Sequence, residues 1–170
     1  MKQVISSNLW DECGHGNLDN FHTTWLRRLL NSLGDTESIV NYRNRKPWFA
    51  SLTSNSFNYL LTSPGKVLSA YGHFLVTESW AEPHFTKMLN GMDRVGLVDD
   101  DIQIYFTAHK TIDPFHTAEI LMGIKNMQPA LSSTGLKEIV DGVQQAIAAG
   151  TLMYNSLYAH FSNTRKPSKK

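Results

Sequence analysis

Three residues of ligand type, His109, Asp113 and His116, follow one another at i, i+4 and i+7 within the segment Tyr105-Phe106-Thr107-Ala108-His109-Lys110-Thr111-Ile112-Asp113-Pro114-Phe115-His116. On a helix turning about 100° per residue, Asp113 lies about 40° to one side of His109, and His116 about 20° to the other. All three side chains then leave one narrow stripe. Imidazole nitrogens with a carboxylate oxygen are ligands for iron, manganese or zinc, and two histidines with one carboxylate suit Fe(II). The competing reading is a pair of partly buried histidines bonded to Asp113. Apolar neighbours at Tyr105, Phe106, Ile112 and Ile120 favour the metal.

One helix supplies at most half of such a site. Glu78 sits inside the apolar run Phe74-Leu75-Val76-Thr77-Glu78-Ser79-Trp80. If buried there, its carboxylate must be paired or bound to a cation, because burying an isolated charge is costly; otherwise it reaches solvent. Upstream, Trp10-Asp11-Glu12-Cys13-Gly14-His15-Gly16 leads to Phe21-His22-Thr23. Glu12 would end one helix, the glycines would turn the chain, and His22 would open the next. Glu12 and His15 also have Glu-x-x-His spacing, but the glycines argue against one continuous helix.

The elements that must carry these residues read as helices. Phe21, Trp25, Leu26, Leu29, Leu30 and Leu33 recur at three- and four-residue steps, and Gly34 follows as a stop. A short helix is expected near 49–61. After the Ser63-Pro64-Gly65 turn, a longer one is expected from about Lys66 to Asn90, kinked at Pro83. Asp99, Asp100 and Asp101 suit the positive end of the next helix, about Asp101 to Asn126, with an internal proline, Pro114, that either bends it to aim Asp113 or is tolerated without a role. The last helix, about 135–162, presents Leu136, Ile139, Val140, Val143, Ile147, Leu152, Leu157 and Phe161 as a packing face. No strand pattern stands out. The class is all-α, a helical bundle in one domain over residues 1–163, followed by a flexible basic tail at 164–170.

Composition bounds the function. Of 170 residues, 41% are hydrophobic and 18% charged, which suits a soluble globular chain. A net charge of +1 gives no reason to expect a nucleic acid or an acidic membrane as partner. No stretch approaches the ~20 apolar residues that span a bilayer. A single cysteine, Cys13, excludes an internal disulfide and suits a reducing compartment, so a cytoplasmic location is expected.

Taken together, these segments resemble the haem-oxygenase-like diiron oxidases and oxygenases, a family of iron-containing redox enzymes. The likeness rests on Asn8-Leu9-Trp10-Asp11-Glu12 with Gly14, Gly16, His22 and Leu33-Gly34, on Thr77-Glu78 with Pro83, Phe85 and Leu89, and on Tyr105-Phe106 with His109, Asp113 and His116. It implies six metal ligands: Glu12, His22, Glu78, His109, Asp113 and His116. It also implies a haem-oxygenase-like bundle, two Fe(II) ions (manganese being an acceptable substitute), O2 as co-substrate, and oxidation of a small molecule such as an amine, amino acid or fatty acid. Members usually carry one or two further N-terminal helices, whereas this chain begins almost at the Glu12 helix. The expectation is a shortened bundle whose site is either more open or covered by a second copy in a homodimer.

Two other classes compete. Cofactor-free relatives of this fold use a cysteine nucleophile, which here would be Cys13 in a hydrolase or synthase. A non-catalytic metal-binding or interaction module would keep the ligands without oxidising anything. Tyr71, Trp80, Met88, Tyr105 and Phe106 are candidate pocket walls, but they would serve equally in a bundle core.

Overall fold

The computed structural model describes residues 1–35, 41 and 45–164, and those residues contain no strand. Of the tail expected at 164–170, Thr164 ends the last helix and 165–170 lie outside the described residues. Helices follow in the order α1 (Lys2–Glu12), α2 (His22–Ser32), α3 (Leu52–Thr62), α4 (Val67–Ser79), α5 (Ala81–Arg94), α6 (Asp100–Lys125) and α7 (Ser133–Thr164). Short 3-10 turns lie at Gly14–Gly16, Leu18–Asn20 and Trp48–Ser51. The all-α expectation holds.

The chain clusters into two compact units. The first comprises residues 1–38 and 77–130, thus α1, α2, the end of α4, α5 and α6. Helix ends here follow local chemistry. α2 stops where Gly34 N–H bonds the Asn31 carbonyl and Asp35 N–H bonds that of Leu30, which satisfies two otherwise open acceptors. Asp99 caps α6 by accepting the Asp101 N–H at 2.8 Å, so the acidic cluster does cap the helix. Gln103 donates to Asp93 and to the Leu97 carbonyl, tying the α5–α6 connection to α6. Phe85 of α5 lays its ring against Tyr105, Phe106 and His109 of α6.

One expectation about proline needs correction. The single kinked helix over 66–90 is two helices, broken at Trp80. Pro83 lies in the first turn of α5, where a missing N–H removes no intrahelical bond. Pro114, by contrast, lies well inside α6, and the helix continues through it to Lys125.

The second unit, residues 39–76 and 131–170, holds α3, most of α4 and α7. Of the large apolar stripe read from the sequence, its buried face on α7 keeps Ile139, with Val143 and Leu157 half-buried, but not the other five residues. Leu136, Val140, Ile147, Leu152 and Phe161 are exposed, while Gly135, Ile139, Gly142, Ala146 and Gly150 are buried. The cause is a backbone-to-backbone crossing. A Cβ on Gly72 of α4 would overlap the Ile139 carbonyl oxygen, and one on Gly142 would overlap that of Ser69. Where helices touch through their backbones, small residues form the interface and larger ones are pushed aside. His73 is fully buried in this unit, stacked on Phe57 at 5.2 Å, and its burial lowers its pKa.

Candidate metal centre

The centre lies wholly within the first unit and is built from four helices. α6 contributes His109, Asp113 and His116, each at least 94% buried, so the stripe expected from the spacing faces inward as a set. α1 ends at Glu12. The chain then turns through Gly14, His15 and Gly16, all at positive φ, and α2 opens with His22 as its first residue. Gly14 is needed at its turn, since its φ of 52° is left-handed and a Cβ there would run into the backbone of Asn20. Asn17 accepts the Asp19 N–H, and Thr24 Oγ1 donates to the Leu18 carbonyl, which fastens this turn to α2. Glu78 comes from the C-terminal end of α4.

All six expected ligands converge, in two groups of three: Glu12 with His22 and His109, and Glu78 with Asp113 and His116. Within each group the donor atoms lie within 4.8 Å of one another. In the first, Glu12 Oε2 is 2.8 Å from His22 Nδ1, and Glu12 Oε1 is 3.6 Å from His109 Nε2. His22 Nδ1 and His109 Nε2 face each other at 3.0 Å. His109 Nδ1–H donates to the Tyr105 carbonyl at 2.6 Å, so it is Nε2 that faces Glu12 and His22. In the second group, His116 Nδ1 lies 3.2 Å from Glu78 Oε2 and 3.5 Å from Asp113 Oδ1.

Aromatic rings wall the first group. Trp25 stacks on His22 at 4.7 Å, and Tyr105 lies 4.2 Å from His109 between ring centroids. Two residues of the site were not singled out in the sequence as ligands or their supports. Asp11 Oδ2 is 2.9 Å from His116 Nε2, and Trp25 backs His22. The available signal for Asp11 was its place beside Glu12 and four residues before His15, to which it is bonded. Cys13 is half-buried at the end of α1.

Charge in this cluster is strongly coupled. Burial alone would raise the Glu12 pKa, but hydrogen bonds from His109 and His22 outweigh it and hold the carboxyl down at about 2. Burial would lower the His116 pKa, yet hydrogen bonds to Asp113, Glu78 and Asp11 push it up to about 11. His109 is raised in the same way: the bonds to Glu12 and the Tyr105 carbonyl overcome burial. Glu78 is raised, first by burial and then by the charges of Asp113 and Glu12, against the opposing bond from His116. Burial, with Glu12, Asp113 and Glu78 nearby, pushes the Tyr105 phenol up to about 12. Carboxylates of both groups of three therefore act on one phenol.

The donor set fits two divalent cations. Two ring nitrogens facing each other at 3.0 Å can share only one proton, and a cation between them and Glu12 satisfies all three. Three buried or partly buried carboxylates beside three imidazoles have the charge and atom types of a non-haem iron site.

Residues 1–151, most of the chain, match the family described as iron-containing redox enzymes. Searches of curated proteins and of solved structures return no match. With its all-helical fold and its paired ligand groups, the chain belongs to the haem-oxygenase-like family of iron-containing redox enzymes.

Proposed function

We propose that this chain is an O2-dependent non-haem diiron oxidoreductase that oxidises a small molecule such as an amine, an amino acid or a fatty acid. The observation that supports this reading is that two groups of three His and carboxylate residues, each with donor atoms within 4.8 Å of one another, are built on the buried α6 stripe of His109, Asp113 and His116. Glu12, His22 and His109 would hold one iron, and Glu78, Asp113 and His116 the other; manganese accepts the same ligands. Two reduced irons held there would supply the electrons for activating dioxygen, and the protein would govern where that happens.

The chain's own residues do the positioning. Tyr105, through its carbonyl, holds His109 with Nε2 turned toward Glu12 and His22. Trp25, Phe85 and Tyr105 pack around His22 and His109 and limit water there. The Tyr105 phenol keeps its proton at neutral pH and can donate a hydrogen bond to an oxygen atom brought to the site.

Anaerobic titration with ferrous iron, followed by exposure to oxygen, tests the reading. About two irons should bind per chain, and oxygen should be consumed by the loaded protein only. In His116→Ala the stoichiometry should fall by at least one ion, while circular dichroism shows nearly unchanged helix content. A variant that still binds two irons would remove His116 from the ligand set, and oxygen-inert protein carrying two irons would leave a binding module rather than an oxidase.

A further inference from the structure

Asp11 precedes Glu12 on α1, so its side chain leaves the helix about 100° away. Glu12 meets His22 and His109, whereas Asp11 meets His116 of the other group. The two nitrogens of His116 thus face different carboxylates. Nδ1 faces Glu78 and Asp113, and Nε2 faces Asp11 Oδ2 at 2.9 Å. A neutral imidazole has one lone pair and one N–H, and the partner of the N–H decides which nitrogen is left to bind a metal. The ring is 98% buried, so water does not compete for either nitrogen.

Asp11 is itself held. Its Oδ1 lies 2.6 Å from Nε2 of the exposed His15, whose backbone is left-handed at φ 54° and whose ring stacks on Trp10. A side chain other than glycine is strained in that conformation, and the bond to Asp11 offsets part of that strain. With one oxygen on His15 and the other on His116, the carboxylate is fixed between the turn and the metal centre.

We propose, resting on the two-metal reading above, that Asp11 is the positioning residue for His116. It accepts the Nε2–H bond and presents Nδ1 to the ion shared with Glu78 and Asp113, while His15 anchors it. The arrangement parallels His109 but is not equivalent to it. His109 is backed by the neutral Tyr105 carbonyl, and His116 by a carboxylate, which makes His116 the more basic ligand.

Cobalt(II) binding to the whole chain tests this without reference to turnover. Wild type, Asp11→Ala and Asp11→Asn are compared by cobalt stoichiometry, by competition with a chelator, and by proton NMR of the hyperfine-shifted, exchangeable imidazole N–H signals. Asp11→Ala should bind one of its two ions about 10- to 100-fold more weakly and lose one of these N–H signals to fast solvent exchange. Asp11→Asn, whose amide oxygen still accepts the bond, should restore that signal and most of the affinity. Unchanged affinity in Asp11→Ala overturns the proposal. So does complete loss of one ion in Asp11→Asn, which would make Asp11 a direct ligand; this variant decides the matter even if the alanine variant does not fold. A wild-type chain that binds fewer than two cobalt ions overturns the two-metal reading itself, a result distinct from either.

Discussion

Protons and metal ions compete for the same nitrogens. Without metal, three carboxylates stabilise the His116 imidazolium, and its pKa rises from 6.5 to about 11. A group raised in this way stabilises the metal-free fold fully below about pH 6.5, and that contribution fades as pH rises through about 11. Glu12 behaves oppositely: its pKa falls from 4.5 to about 2, so its contribution is present above about pH 4.5 and is lost as pH falls through about 2. Metal must displace the proton on Nδ1 of His116, since Nε2 stays bonded to Asp11. Loading at neutral pH is therefore expected to release at least one proton per chain, and affinity should climb about tenfold per pH unit for each proton displaced. Calorimetric titration with cobalt(II) at pH 7 and 8, in buffers of differing ionisation enthalpy, measures this directly. An enthalpy independent of buffer would show that His116 is neutral before metal arrives.

At the scale of elements, what could be read from the sequence depended on how locally it was encoded. The stripe of α6 follows from helix geometry alone, and so His109, Asp113 and His116 were legible as a set. The turn after Glu12 was legible because Gly14 and Gly16 leave little else for the chain to do there. Which carboxylate meets which imidazole was not legible, because Asp11 and Glu12 are adjacent and only the seating of α1 on α6 sends them to different histidines. The α7 face was misread for a related reason. A pattern of large apolar residues predicts burial only when helices meet through side chains, and α4 and α7 meet through backbone at Gly72 and Gly142. The Gly14 turn yields a prediction of its own. Gly14→Ala places a Cβ against the Asn20 backbone at a left-handed φ, so the turn must rearrange. The expected cost is about 1–3 kcal/mol of stability, with weakened metal binding because Glu12 and His22 lie on either side of the turn. Chemical denaturation and cobalt titration of the variant check both, and a stability within about 0.5 kcal/mol of wild type would show that the turn is not under this constraint.

Across the whole molecule the ligands are unevenly distributed. Among the described residues, both three-residue groups belong to the unit formed by 1–38 and 77–130, and none of their members to the unit of 39–76 and 131–170. No described helix is long and apolar enough to cross a membrane. Each ion bound only by the folded state adds about 2.7 kcal/mol at a hundredfold excess over its dissociation constant. For a chain of this size that corresponds to a rise in melting temperature of roughly 5–10 °C per ion. The gain should be local before it is global. Metal held by the six residues of the proposed centre would tie the ends of α1, α2 and α4 to the middle of α6, so opening any of them would require giving up ligands. Hydrogen exchange with and without cobalt(II) should therefore slow most in α1, α2 and α6, and least in α3 and α7. Addition of a chelator should reverse the protection. Equal protection of α3 and α7 would mean that the two units open together, and then the centre would stabilise the whole chain rather than the half that contains it.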